Sequence, residues 1–75
     1  MDEGFILSNK FRRLIFDELV AGEADIRRIA KKNRIIPLVA QRVIDEFVTG
    51  GIVVKKGNSY VFSDEGNKLV ERIGK

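Results

Sequence analysis

The chain contains no cysteine, histidine or tryptophan, and only one proline, Pro37, in its 75 residues. Without cysteine there is no disulfide to staple the fold and no thiolate to serve as nucleophile or ligand. Without histidine as well, Ser-His and Cys-His pairs cannot be built and the usual zinc ligand sets are excluded. Apolar runs such as Phe5-Ile6-Leu7 are only a few residues long, far short of the ~20 that span a bilayer. The opening Asp2-Glu3 is acidic, unlike a secretory leader. A cytoplasmic protein that avoids membranes is the expectation. The carboxylates come largely as adjacent pairs, Asp2-Glu3, Asp17-Glu18, Asp45-Glu46 and Asp64-Glu65. Neighbours on a helix splay about 100° apart, so such pairs do not converge on a metal or a sugar. There is no phosphate-cradling Walker loop. Neither enzymatic activity nor a metal or cofactor is expected.

What remains is one small domain over residues 1–75 that is hydrophobic enough to fold unaided. Its net charge of +3 is unevenly spread: residues 23–36 carry +3 and residues 50–62 carry +2 with no acid, while the other segments are neutral or slightly negative. Any single Lys or Arg is most simply a solvated surface group. Their grouping in two segments is what favours a polyanionic partner.

Residues 1–7 read as a short arm. Ser8 can cap a first helix whose apolar positions Phe11, Leu14, Ile15 and Leu19 follow helical spacing, and Gly22 supplies a left-handed stop. A second helix spans residues 24–32, with Ile26, Ile29 and Ala30 inward and Arg27, Arg28, Lys31 and Lys32 outward. The last two lysines suit the negative end of the helix dipole. Asn33 tolerates positive φ in the following turn, and Pro37 fits the first position of a third helix running to about Thr49. Ala40, Val43, Ile44, Phe47 and Val48 form its inner face. Leu38, Gln41, Arg42, Asp45, Glu46 and Thr49 form its outer face. Gly50-Gly51 ends it, and Gly57-Asn58 turns a hairpin over residues 52–62 that sets Lys56 opposite Ser59 and Val54 opposite Val61. Tyr60 packs on a helix. Ser63 then caps a fourth helix, with Asp64 and Glu65 in its first turn and a stripe of Leu69, Val70 and Ile73.

Two helices across a tight turn, Gly-Gly-Ile-Val, a basic hairpin and a Tyr-Val-Phe-Ser-Asp-Glu-Gly strand-to-helix junction together resemble the winged helix-turn-helix DNA-binding family over residues 8–73. The resemblance implies a mostly α fold with a small β-hairpin, in the order α-α-α-β-β-α, with a short extra strand near residues 5–7 or 35–36. It implies a transcriptional regulator that binds double-stranded DNA without a cofactor. Its third helix would face the major groove with Leu38, Gln41, Arg42 and Asp45, Gln41 reading adenine and Arg42 guanine. Arg27, Arg28, Asn33 and Arg34 around the turn, and Lys55, Lys56, Asn58 and Ser59 on the wing, would hold phosphates. Asp45 and Glu46 would repel DNA unless they turn away or pair with Arg34 or Arg42. Winged helices also serve as protein-interaction modules of transcription and replication assemblies, and an acidic third helix with exposed Leu38 is compatible with that alternative. A homodimer is expected as well, because residues 5–7 and the Leu69, Val70, Ile73 stripe offer more apolar surface than one small core needs.

Overall fold

The computed structural model describes residues 2–73. In chain order the elements are α1 (Glu3–Leu7), α2 (Lys10–Val20), α3 (Ile26–Lys32), α4 (Pro37–Thr49), β1 (Val53–Lys56), β2 (Ser59–Phe62) and α5 (Asp64–Ile73). The described chain is thus mostly helical, with one two-stranded antiparallel hairpin. None of these helices is long and apolar enough to cross a membrane.

Local side-chain chemistry sets the helix starts. The Asp2 carboxylate accepts from the Phe5 N–H at 3.0 Å and starts a helix where an arm, or a strand at residues 5–7, was expected. Ser8 therefore closes α1 rather than opening α2. The cap of α2 is Asn9, whose Oδ1 accepts from the N–H groups of Phe11 at 2.9 Å and Arg12 at 3.1 Å. Asp25 caps α3, and α4 opens with Pro37 at its first turn and no side-chain cap. The Ser63 hydroxyl accepts from the Gly66 N–H at 3.1 Å and donates to the Gly51 carbonyl, tying the start of α5 to the end of α4. No strand forms at residues 35–36. The hairpin is instead tethered by the Tyr60 N–H, which donates to the Ala24 carbonyl at 3.0 Å between α2 and α3.

Helices α2, α3 and α4 all end in the same way. The first residue past the cap is left-handed: Gly22 at φ 103°, Arg34 at φ 55° and Gly51 at φ 81°. In each case the next residue bonds back to the third-last helical carbonyl: Glu23 to Glu18, Ile35 to Ala30 and Ile52 to Phe47, at 2.9–3.1 Å. This is the Schellman arrangement, whose left-handed position favours glycine. Among these three ends, only that of α3 carries a side chain there.

The core gathers Ile6, Ile15, Phe16, Ile29, Ile44 and Phe47, all fully buried, with Phe16 tilted against Phe62 at 5.3 Å between ring centroids. The inner arc of α4 ends at Phe47. Val48, expected inside, lies one residue further round and is exposed. Leu69 and Ile6 are buried, and Phe5, Val70 and Ile73 pack partly buried against the same core, with α1 lying on α5. Part of the apolar surface from which a homodimer was expected is thus covered within the chain, while Leu7 of α1 stays exposed.

Candidate nucleic-acid interface

On α3 the alternation is as read: Ile26, Ile29 and Ala30 are buried, while Arg27, Arg28, Lys31 and Lys32 are exposed. These cations do different things. Arg27, Lys31 and Arg34 rim a groove of roughly 340 Å3 whose apolar walls include Ile26, Ala30, Ile35 and Pro37. Gln41 of α4 closes the far side. Arg28 is not part of this wall. Lys32 turns toward α2, where its ammonium lies 3.1 Å from Glu18 Oε1.

Asn33 departs from expectation. Its φ is −102°, and the left-handed residue is its neighbour Arg34. The Asn33 amide donates to Glu18 Oε2 at 2.6 Å and to the Ile29 carbonyl at 2.9 Å. It pins the end of α3 to α2 and is committed there rather than offered to a phosphate. Glu18 is only 12% exposed. The hydrogen bond from Asn33, reinforced by Lys32, holds its carboxyl below the ordinary range against the opposing effect of burial. A depressed carboxylate contributes stability that is present above its unfolded pKa of about 4.3 and is lost as pH falls through the lower folded value. Glu18→Gln should therefore destabilise the protein at neutral pH by an amount that shrinks as the solution is acidified below pH ~4. Urea melts of both proteins across pH 3–7 test this, and a constant difference would remove Glu18 as the acid-sensitive anchor.

Along α4, Leu38, Arg42, Asp45 and Thr49 form an exposed stripe, with Leu38 65% exposed. Gln41 lies to one side: its Nε2 donates to Asp45 Oδ1 at 2.9 Å and sits 3.5 Å from the buried Tyr60 hydroxyl. Glu46 lies to the other side and pairs with neither Arg34 nor Arg42. Its partner is Arg12 of α2, which reaches Oε1 and Oε2 at 3.2 and 3.1 Å.

The hairpin register is as expected, with Lys56 facing Ser59, Lys55 facing Tyr60 and Val54 facing Val61. Side chains alternate across a strand, so Lys55 shares the Tyr60 face while Lys56 and Ser59 share the opposite one. Lys55 and Asn58 join Asp25, Arg27, Gln41 and Tyr60 around a second hollow of roughly 210 Å3. That hollow adjoins the first through Ile26, Arg27 and Gln41.

Of the residues expected at a nucleic-acid site, Arg27, Arg34, Gln41, Lys55 and Asn58 are thus brought onto one continuous concave surface beside the α4 stripe of Leu38, Arg42 and Asp45. Arg28, Asn33, Lys56 and Ser59 are not. Lys31 belongs to the surface too, although of the outward cations of α3 only Arg27 and Arg28 were expected at phosphates; its spacing of four residues from Arg27 was the signal. Among the described residues, no carboxylate lies within salt-bridging distance of Lys31, Arg34, Arg42 or Lys55. Comparison with protein-family models, curated proteins and solved structures finds no match.

Proposed function

We propose that the protein is a winged helix-turn-helix domain that binds duplex DNA and acts as a transcriptional regulator without a cofactor. In this reading α3 and α4 are the helix-turn-helix and β1–β2 the wing. The α4 stripe enters the major groove, where Arg42 and Gln41 address base edges. Lys31, Arg34 and Lys55 hold the flanking phosphates, joined by Arg27, whose guanidinium is 3.8 Å from Asp25. The observation that carries the reading is the gathering of the unpaired cations Lys31, Arg34 and Lys55, from α3, the α3–α4 turn and β1, around one concave surface. Diverting Glu46 to Arg12 also removes one of the two acids on α4 that would have opposed a polyanion.

Titration of mixed-sequence duplex DNA over a salt series is the test. With roughly four to five phosphates engaged, log affinity against log salt should fall with a slope of about −4. Absence of binding at ~50 mM salt, where such contacts are strongest, ends the proposal. One observation favours a second reading as a protein-interaction module: Ile36 and Leu38, at the head of α4, are 68% and 65% exposed. A protein partner seated there, with no duplex binding, would establish that alternative.

A further inference from the structure

Arg42 is the one cation on α4, and it has two carboxylates at helical contact spacing, Asp45 at i+3 and Glu46 at i+4. It pairs with neither. Asp45 takes its hydrogen bond from Gln41 at 2.9 Å. Glu46 is held from across the molecule by both nitrogens of the Arg12 fork. Arg12 is itself anchored: its third nitrogen donates to the Phe5 carbonyl at 3.3 Å, and its guanidinium stacks 3.7 Å over the Phe5 ring. Arg12 is 21% exposed and Glu46 41%. A two-pronged, partly shielded pair of this kind outcompetes a solvated pair along one helix, and Arg preceding Glu is the weaker order for such a helical pair.

We infer that Arg12, by capturing Glu46, keeps the Arg42 guanidinium unpaired and available to an acceptor on the α4 stripe. Arg12 is a positioning residue, since it reaches the stripe only through Glu46. Helix α1 has a part in this, because Phe5 supplies both the stacking ring and the accepting carbonyl. The effect on binding rests on the DNA reading above. The pairing state of Arg42 does not.

Four proteins test the inference: wild type, Arg12→Gln, Glu46→Gln and the double variant, each checked by thermal melting to be folded. In Arg12→Gln the released Glu46 turns to Arg42. Duplex affinity at ~50 mM salt should drop about three- to tenfold. Glu46→Gln and the double variant should bind at least as tightly as wild type. A double variant as weak as Arg12→Gln, or an Arg12→Gln protein that binds like wild type, overturns the inference. The Arg42 Nε–H resonance gives a second readout that needs no DNA. It should stay in place in Glu46→Gln, move in Arg12→Gln and return in the double variant. A shift in Glu46→Gln alone would mean that Glu46 already pairs with Arg42, and the inference would fail even if Arg12→Gln proved too unstable to study. If the wild type binds no duplex, the DNA reading falls and this resonance still decides the role of Arg12.

Discussion

Replacing Gly66 by alanine should destabilise the protein by about 2–3 kcal/mol, although the same change in a helix normally gains close to ~1 kcal/mol. Packing decides the sign. Gly66 is buried in the first half of α5, where the helix crosses the turn that follows α4. A Cβ built there would overlap the Ile52 carbonyl oxygen and stand 2.9 Å from its carbon and 3.0 Å from Phe62 Cδ1. The Ile52 oxygen is backbone and also accepts the Ser63 N–H at 3.0 Å, so it cannot yield alone. α5 would have to lift, drawing Leu69 out of the core and straining the Ser63 bridge to Gly51. Against a total of ~5–10 kcal/mol for a small domain, that is a large fraction. Gly4→Ala serves as the contrast. Gly4 is exposed in α1, with only Asp2 Oδ1 at 3.5 Å from its added Cβ, so alanine there should stabilise by about 0.5–1 kcal/mol. Urea midpoints for both variants, at unchanged m-value, decide the matter. A Gly66→Ala protein at least as stable as wild type would contradict the close approach.

Features encoded locally are legible in the sequence. Pro37 at the head of α4, the Gly22 and Gly50-Gly51 stops, the hairpin register and the Ser63 cap each depend on a few adjacent residues whose conformational preferences agree. What escaped the sequence reading depends on distant partners or very short elements. Helix α1 is five residues long, too short to show a period, and rests on one capping carboxylate and on burial of Ile6. Arg12 and Glu46 are 34 residues apart, so nothing in the pattern of either helix announced that they meet. Asn33 was credited with the left-handed turn because asparagine tolerates it. The Schellman geometry places that conformation one residue later, and the Asn33 amide is drawn to Glu18 instead. The division of Lys55 from Lys56 was within reach of strand alternation, but the sequence reading treated them as a single basic pair.

Arg34 combines a stability cost with a functional gain, and that makes the sharpest test of the candidate interface. At the corresponding ends of α2 and α4 the left-handed residue is glycine, whereas here a long side chain bears φ 55°. The left-handed conformation costs a residue with a Cβ about 1–2 kcal/mol, and the greater freedom of glycine in the unfolded chain returns about 0.4–1 kcal/mol of that. Arg34→Gly should therefore stabilise the protein slightly, by about 0.5–1 kcal/mol. If the arginine is there to present a cation beside Lys31 at the corner of the α3–α4 turn, the same variant should bind duplex DNA less well. One phosphate contact is worth about 15-fold at ~50 mM salt from counterion release. Reversing both corner charges, Lys31→Glu with Arg34→Glu, should then weaken binding by at least roughly 10²-fold for specific and random duplexes alike, and flatten the salt slope by about two units. Lys55→Glu should act in the same direction, and Lys56→Glu, on the far face of the hairpin, should matter less. Fluorescence anisotropy against a labelled duplex, paired with a urea melt of each variant, reads both quantities. Opposite signs in stability and affinity for Arg34→Gly would show that the strained arginine serves binding. Unchanged affinity in the double reversal would remove the α3–α4 corner from the interface, whatever the stability did.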